Sequence, residues 1–256
     1  MNRLSSQIEN HEFIKELSHD QIPTIEKLEE GKGSKRGQMV PSSYTLSELE
    51  QYSKSLFIWS MRIRDCFETL EHAEVYLGSF RTNKRYKEAG IGRSHYINYH
   101  YFNYAITVTK VRDIALILTD KTFRLGNPER LCRLENIIEN SWVRSTSVDE
   151  SLKKLNSIVE RWREPRNLFI HRGKTLKRES MYMLEAFEFL LREDPAIKFI
   201  SPSDVKLLYK SELLKVYKEL EETEQPLFKS TSELLSQLLP IYRFWRRILQ
   251  EQTFSG

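Results

Sequence analysis

The sequence predicts an all-α fold: a long antiparallel helical hairpin packed with shorter helices, followed by a C-terminal helical extension. Apolar residues recur with a 3.6-residue period over several long segments, the pattern by which a helix keeps one stripe against a core. Glycine and proline number only 9 and 8 in 256 residues. They fall mostly between the periodic segments, so turns are few and elements are long. Only Ala196-Ile197-Lys198-Phe199-Ile200 has strand character, and one short stretch without a pairing partner is too little for a sheet.

Residues 1–44 are expected to form a flexible or loosely packed arm. Ile8, Phe13, Ile14 and Leu17 give it an amphipathic hint, and Gly31-Lys32-Gly33-Ser34-Lys35-Arg36-Gly37 is a basic linker by composition. A helical domain is expected over 45–192. Thr45-Leu46-Ser47-Glu48 reads as a capping box, in which a hydroxyl and a third-position glutamate satisfy each other's backbone N–H groups. It opens a helix over about 47–80, with a stripe through Tyr52, Leu56, Trp59, Ile63, Phe67, Leu70, Leu77 and Phe80. Residues 81–93 read as a loop carrying Arg81, Lys84, Arg85, Lys87 and Arg93 against Glu88 alone. A second long helix is expected over about 94–118, its face marked by Ile97, Tyr101, Tyr104, Val108, Val111, Ala115 and Leu118. Two such helices make a natural antiparallel hairpin.

Asn127-Pro128-Glu129 has the cap, first-turn proline and early acid of a third helix start. Ser147-Val148-Asp149-Glu150 is another capping box, opening a fourth helix through Leu152, Leu155, Val159 and Trp162. Beyond Gly173, helical patterns recur over about 178–192, 203–221 and 231–251, separated by Asp194-Pro195 and Gln225-Pro226. Residues 193–256 are thus expected to form the C-terminal extension.

Hydrophobic residues make up 39% and charged residues 30%, enough apolar material for a sizeable core under a charged surface. No stretch of about 18 apolar residues occurs, and residues 1–30 lack the pattern of a signal peptide. The expectation is a cytoplasmic protein with no membrane partner. Cys66 and Cys132 are too few for a disulfide framework and have no zinc-ligand spacing, so both read as core thiols. His11, His19, His72 and His95 suggest no metal site, and no Gly-rich phosphate loop or Gly-x-Ser-x-Gly elbow occurs. Kinase, P-loop and serine-hydrolase classes are thereby excluded, and no cofactor or metal is expected. The net charge of +4 permits a polyanionic partner without requiring one.

The fourth helix runs into Arg161-Trp162-Arg163-Glu164-Pro165-Arg166-Asn167-Leu168-Phe169-Ile170-His171-Arg172-Gly173. Proline biases Glu164 away from the α region, which predicts a break or a kink there and a restart with Pro165 in the first turn. Asn167 and His171 are then four apart on one face. Histidine exchanges protons near neutral pH, and arginine forks two donors onto phosphate oxygens. Seven basic residues between 161 and 178, among them Arg163, Arg172 and Lys174, stand against Glu164 alone. Such a strip steers an RNA backbone if it is not simply a solvated face. The run Tyr96, Tyr99, Tyr101, Phe102 and Tyr104 offers stacking faces but fits core packing better at helical spacing. Arg112 and Asp113 are polar residues within the second long helix; either could face a buried site, and an exposed rim position is the favoured expectation.

Arg166-Asn167-x3-His171 resembles the Arg-x4-6-His signature of the HEPN superfamily, and the helical order over roughly 45–192 fits that family too. The resemblance implies a HEPN-like bundle, a homodimer that brings two motifs together, and metal-independent cleavage of RNA in a toxin or defence context, with an antitoxin or other protein partner. It assigns proton transfer to His171, phosphate and transition-state charge to Arg166, and orientation to Asn167. Arg93-x6-His100 satisfies the loose pattern as well, but it straddles a helix start, where capping or packing suits it better. Against the nuclease stands a non-catalytic helical module binding RNA, a nucleotide or a protein.

Overall fold

The computed structural model describes residues 3–30, 46–81, 83–172, 179–193 and 201–254. All regular structure among them is helical. The helices are α1 (Leu4–Glu9), α2 (Glu12–Glu30), α3 (Glu48–Gly78), α4 (Lys84–Glu88), α5 (Arg93–Phe123), α6 (Leu134–Ile138), α7 (Ser141–Arg144), α8 (Val148–Arg172), α9 (Glu179–Glu193) and α10 (Pro202–Phe254). The chain divides into two compact units. One holds Met1–Phe67, Val111–Asn156 and Phe228–Gly256; the other holds Glu68–Lys110 and Ser157–Leu227.

The expected hairpin is α3 and α5, each 31 residues long. In the first unit the Tyr52 hydroxyl donates to the Thr122 carbonyl at 2.8 Å. In the second, Tyr76 meets His100 at 5.1 Å between ring centroids. Residue numbers fall on one helix as they rise on the other, so the pairing is antiparallel. The capping box of α3 sits two residues later than expected. Ser47 N–H donates to Glu50 Oε2 at 2.7 Å, and Glu50 N–H donates back to Ser47 Oγ at 3.2 Å. Thr45 lies outside the described residues.

Buried positions surround α5 from Phe102 to Phe123, as expected of a helix enclosed by its neighbours. Its buried threonines return their hydroxyls to carbonyls of the preceding turn: Thr107 to Asn103, Thr119 to Ala115 and Thr122 to Leu118, so no donor is stranded. The helix ends in a Schellman turn. Arg124 takes a positive φ of 55° and Leu125 N–H donates to the Asp120 carbonyl at 3.0 Å. The Arg124 guanidinium is held by Glu48 and by the rings of Tyr52 and Trp245.

Several expectations are corrected. Within 1–44, Leu4–Glu9 and Glu12–Glu30 are helical, and Ile8, Phe13, Ile14 and Leu17 are fully buried. Phe13 lies edge-on to Tyr242, Asp20 accepts from the Tyr242 hydroxyl, and Arg243 pairs with Glu12 and Glu16. The Gly31 to Gly37 linker lies outside the described residues, as do residues 196–200. The 81–93 loop contains one helical turn, α4, capped by the Asn83 side chain and closed by Gly90 at φ 68°. At 127–131 a short 3-10 turn, Glu129–Leu131, replaces the full helix start, because the Asn127 side chain donates to Asp120 instead of capping. Arg112 is not a rim residue: its side chain is 14% exposed and held by Asp113 and Asn156. Both cysteines are buried, and desolvation pushes the Cys132 thiol up to about 11, which keeps it protonated and unreactive.

The two C-terminal helices expected at 203–221 and 231–251 are one 53-residue helix, α10. It opens with a box in which Ser201 N–H donates to Asp204 and Asp204 N–H donates to Ser201 Oγ. Its buried stripe passes Val216, Leu220, Leu227, Leu234 and Leu238 without losing phase at Pro226. Burial along that stripe outweighs the local cost of an interior proline, on the order of 3 kcal/mol. Among the described residues no helix is long and apolar enough to cross a membrane.

Candidate functional site

The motif lies on α8, and here too the helix does not break. Pro165 stands inside it, and helical backbone continues to Arg172. The stripe explains why. Trp162 is 2% exposed; its ring packs on Tyr101 and Tyr104 at 5.4 and 5.1 Å, and its indole N–H donates to Thr223 Oγ1 at 3.1 Å. One heptad later, Phe169 stacks on Phe102 at 4.7 Å with the rings 10° from parallel. An aromatic pair of this kind adds about 0.5–1.5 kcal/mol beyond its buried area. Anchors on both sides of Pro165 thus hold α8 continuous.

This register sorts the motif residues. Arg166 follows Trp162 by four and precedes Phe169 by three, so it shares the packing stripe and is half-buried. Asn167, also half-buried, lies about 100° further round the helix, and position 171 follows it by one turn. Asn167 and position 171 therefore share a face, and Arg166 occupies another. The side chains of His171 and Arg172, and all of Lys174, lie outside the described residues. Arg163 is exposed and pairs with Glu160 at 3.4 Å, a surface contact worth roughly 0–1 kcal/mol that leaves it open to exchange partners. Arg161 is committed: it donates to the Glu219 carbonyl and to Thr223, and pairs with Glu222 at 3.9 Å.

The second motif, Arg93-x6-His100, is built into packing. Arg93 opens α5 with its guanidinium 5.0 Å from the Tyr209 ring centroid and 6.0 Å from that of Phe80. His100 lies among Tyr96 at 4.4 Å, Tyr76 at 5.1 Å and Tyr99 at 5.2 Å. Desolvation holds its imidazole below the ordinary histidine range, which favours the neutral ring. Phe102 and Tyr104 of the aromatic run are core, and Tyr99 is 61% exposed. Among the described residues no group of three or more His, Cys, Asp or Glu is placed to hold a metal ion.

The sequence matches the HEPN_Cthe2314-like HEPN family over residues 42–200, more than half of the chain. The protein belongs to that family. No curated protein and no solved structure matches the chain. The matched HEPN segment contains Arg166, Asn167 and His171, and equally Arg93 and His100, so it does not choose between the two motifs. Helices α1, α2 and α10 lie outside it. HEPN membership points at most to a nuclease or otherwise RNA-related role.

Two features escaped the sequence reading. Glu224 has its carboxyl pushed up to about 7, first by burial and then by Glu74 and Glu71, with a hydrogen bond to Tyr104 acting the other way. A cavity of about 680 Å3 joins the 81–93 segment to α9. Both depend on partners roughly 100 or more positions apart, which periodicity does not register.

Proposed function

We propose that this HEPN protein is a metal-independent endoribonuclease that works as a homodimer. The observation that carries the reading is the Arg166-Asn167-x3-His171 motif on one uninterrupted helix within the matched family segment. In the proposed reaction His171 takes the proton from an RNA 2'-hydroxyl. The 2'-oxygen bonds to phosphorus, the bond from phosphorus to the 5'-oxygen breaks, and the leaving oxygen receives a proton. The products are a 2',3'-cyclic phosphate and a 5'-hydroxyl. One imidazole cannot be base and acid in the same step, so the second copy of a two-fold dimer supplies the other. Arg166 holds the phosphate through its planar fork, and Asn167, one turn from position 171, orients the imidazole. Arg163, Arg172 and Lys174 carry the RNA backbone. A toxin or defence setting with an antitoxin partner belongs to the same reading.

A second reading has its own observation: Arg166 shares the stripe of Trp162 and Phe169, as a packing residue would. A non-catalytic HEPN module would bind RNA and leave it intact. Purified protein and mixed-sequence RNA in EDTA separate the two. The nuclease reading expects cyclic phosphate ends, no cleavage of DNA, which lacks the nucleophile, and no turnover by a folded His171→Ala variant. Equal cleavage by wild type and His171→Ala removes the assignment, and RNA binding without cleavage selects the second reading.

A further inference from the structure

The cavity of about 680 Å3 in the second unit lies within the size range of small-molecule sites; neither Arg166 nor Asn167 lines it, while Arg93 of the second motif does. Among the described residues its walls come from two places. The 80–95 segment brings Phe80, Tyr86, Lys87 and Arg93, and α9 brings Glu185, Glu188 and Phe189. The apolar part is ringed by aromatics. Phe80 and Tyr86 stack on each other at 5.8 Å, 15° from parallel, and Phe189 is 52% exposed.

Among the described residues the charged lining is balanced: Lys87 and Arg93 stand with Glu185 and Glu188, beside His95. That composition does not suit a simple polyanion. It suits a ligand with a flat, uncharged, donor-bearing part and an anionic part. Glu188 is half-buried, and burial pushes its carboxyl up while Arg93 pulls it down. Its Oε2 also lies so close to Gly92 that a Cβ there would approach it to 3.0 Å. A carboxylate stripped of part of its water gains most from ligand N–H donors.

We propose that this pocket binds a guanine nucleotide, the base stacked on its aromatic wall with its N1–H and N2–H donating to Glu188, and the phosphate facing Lys87 and Arg93. An ionised carboxylate only accepts. Guanine presents two adjacent donors to it. Adenine and cytosine place a ring acceptor beside their amino group, and uracil flanks its one donor with two carbonyls. The nucleotide is either free or a guanosine of an RNA chain; only the second source rests on the ribonuclease reading.

Calorimetric titration of the full chain tests this, with His171→Ala as background so that no probe is cleaved. The probes are GMP, AMP, and the RNA pentamers AAGAA and AAAAA. GMP should bind at least about tenfold more tightly than AMP, as a good bidentate contact allows. Glu188→Gln should abolish the preference, and Lys87→Ala should weaken GMP. If GMP fails up to millimolar concentration but AAGAA is preferred over AAAAA through Glu188, the guanosine comes from RNA. If no probe pair shows a guanine preference, or the preference survives Glu188→Gln, the proposal is overturned. Should Glu188→Gln not fold, the exposed Phe189 decides: Phe189→Ala must cost about fivefold or more in GMP affinity through lost stacking, and unchanged affinity overturns the proposal. Cleavage by the wild type is scored separately, so either reading can fail alone.

Discussion

Arg166 and Asn167 are sequence neighbours about 100° apart on α8, and their substitutions should differ accordingly. Arg166 is half-buried on the Trp162–Phe169 stripe, where a lysine keeps the charge and loses the planar fork. Under the nuclease reading, Arg166→Lys should lower kcat for RNA by at least about a hundredfold, while thermal stability changes by less than about 1 kcal/mol. His100 should behave in the opposite way. Its ring touches three tyrosines and is held neutral by desolvation. His100→Ala should cost about 1–3 kcal/mol of stability through lost packing and leave RNA cleavage within about twofold of wild type. A cleavage defect in His100→Ala as deep as that of His171→Ala would mean that the Arg93 motif, and not the Arg166 motif, does the chemistry. Denaturant unfolding and single-turnover cleavage on the same preparations give both readouts.

At the scale of elements, helix starts can be tested one residue at a time. Ser47 accepts from Glu50 N–H while Glu50 accepts from Ser47 N–H, so Ser47→Ala should cost about 0.5–2 kcal/mol. Thr45→Ala should cost nothing measurable if the box has shifted as the bond pattern indicates, and equal losses from both would place the cap elsewhere. The long helices were legible in sequence because their stripes are periodic: Leu56, Ile63, Phe67, Leu70 and Leu77 all proved buried. Their ends and interruptions were harder to read, since a proline carries a fixed local cost while the burial that offsets it comes from distant residues. The signal was nevertheless present. Leu155, Trp162 and Phe169 step by sevens across Pro165, and Leu220, Leu227 and Leu234 do so across Pro226. A phase kept on both sides of a proline marks a helix that runs through it. The candidate site was legible as a motif on a helix. What the sequence hid was its division between stripes, because Arg166 lies on the packing side only once Trp162 and Phe169 are known to anchor α8.

For the molecule as a whole, the net charge of +4 says little about pH response, and one buried carboxyl says more. Glu224 is held by burial, with Glu74 and Glu71 adding repulsion and the Tyr104 hydroxyl opposing them, so that its folded-state value is pushed up from 4.5 to about 7. In the unfolded chain it returns to 4.5. Between those values the unfolded state loses the proton that the folded state keeps. The stability this group contributes is therefore fully present below the ordinary carboxyl range and is lost as pH rises to about 7. The ceiling on that loss is about 3 kcal/mol before solvent screening reduces it. Glu224→Gln mimics the protonated form at every pH and also removes the like-charge repulsion from Glu74 and Glu71. Its melting temperature should match the wild type near pH 4.5, exceed it progressively up to about pH 7, and hold a constant margin above that. At roughly 2–4 °C per kcal/mol for a chain of this size, the margin should reach several degrees. Parallel melting curves for the two proteins from pH 4.5 to 8 would show that Glu224 ionises in the folded protein as freely as in the unfolded one. A margin that grows only above pH 8 would point to the neighbouring tyrosines, Tyr104 among them, whose hydroxyls burial pushes up.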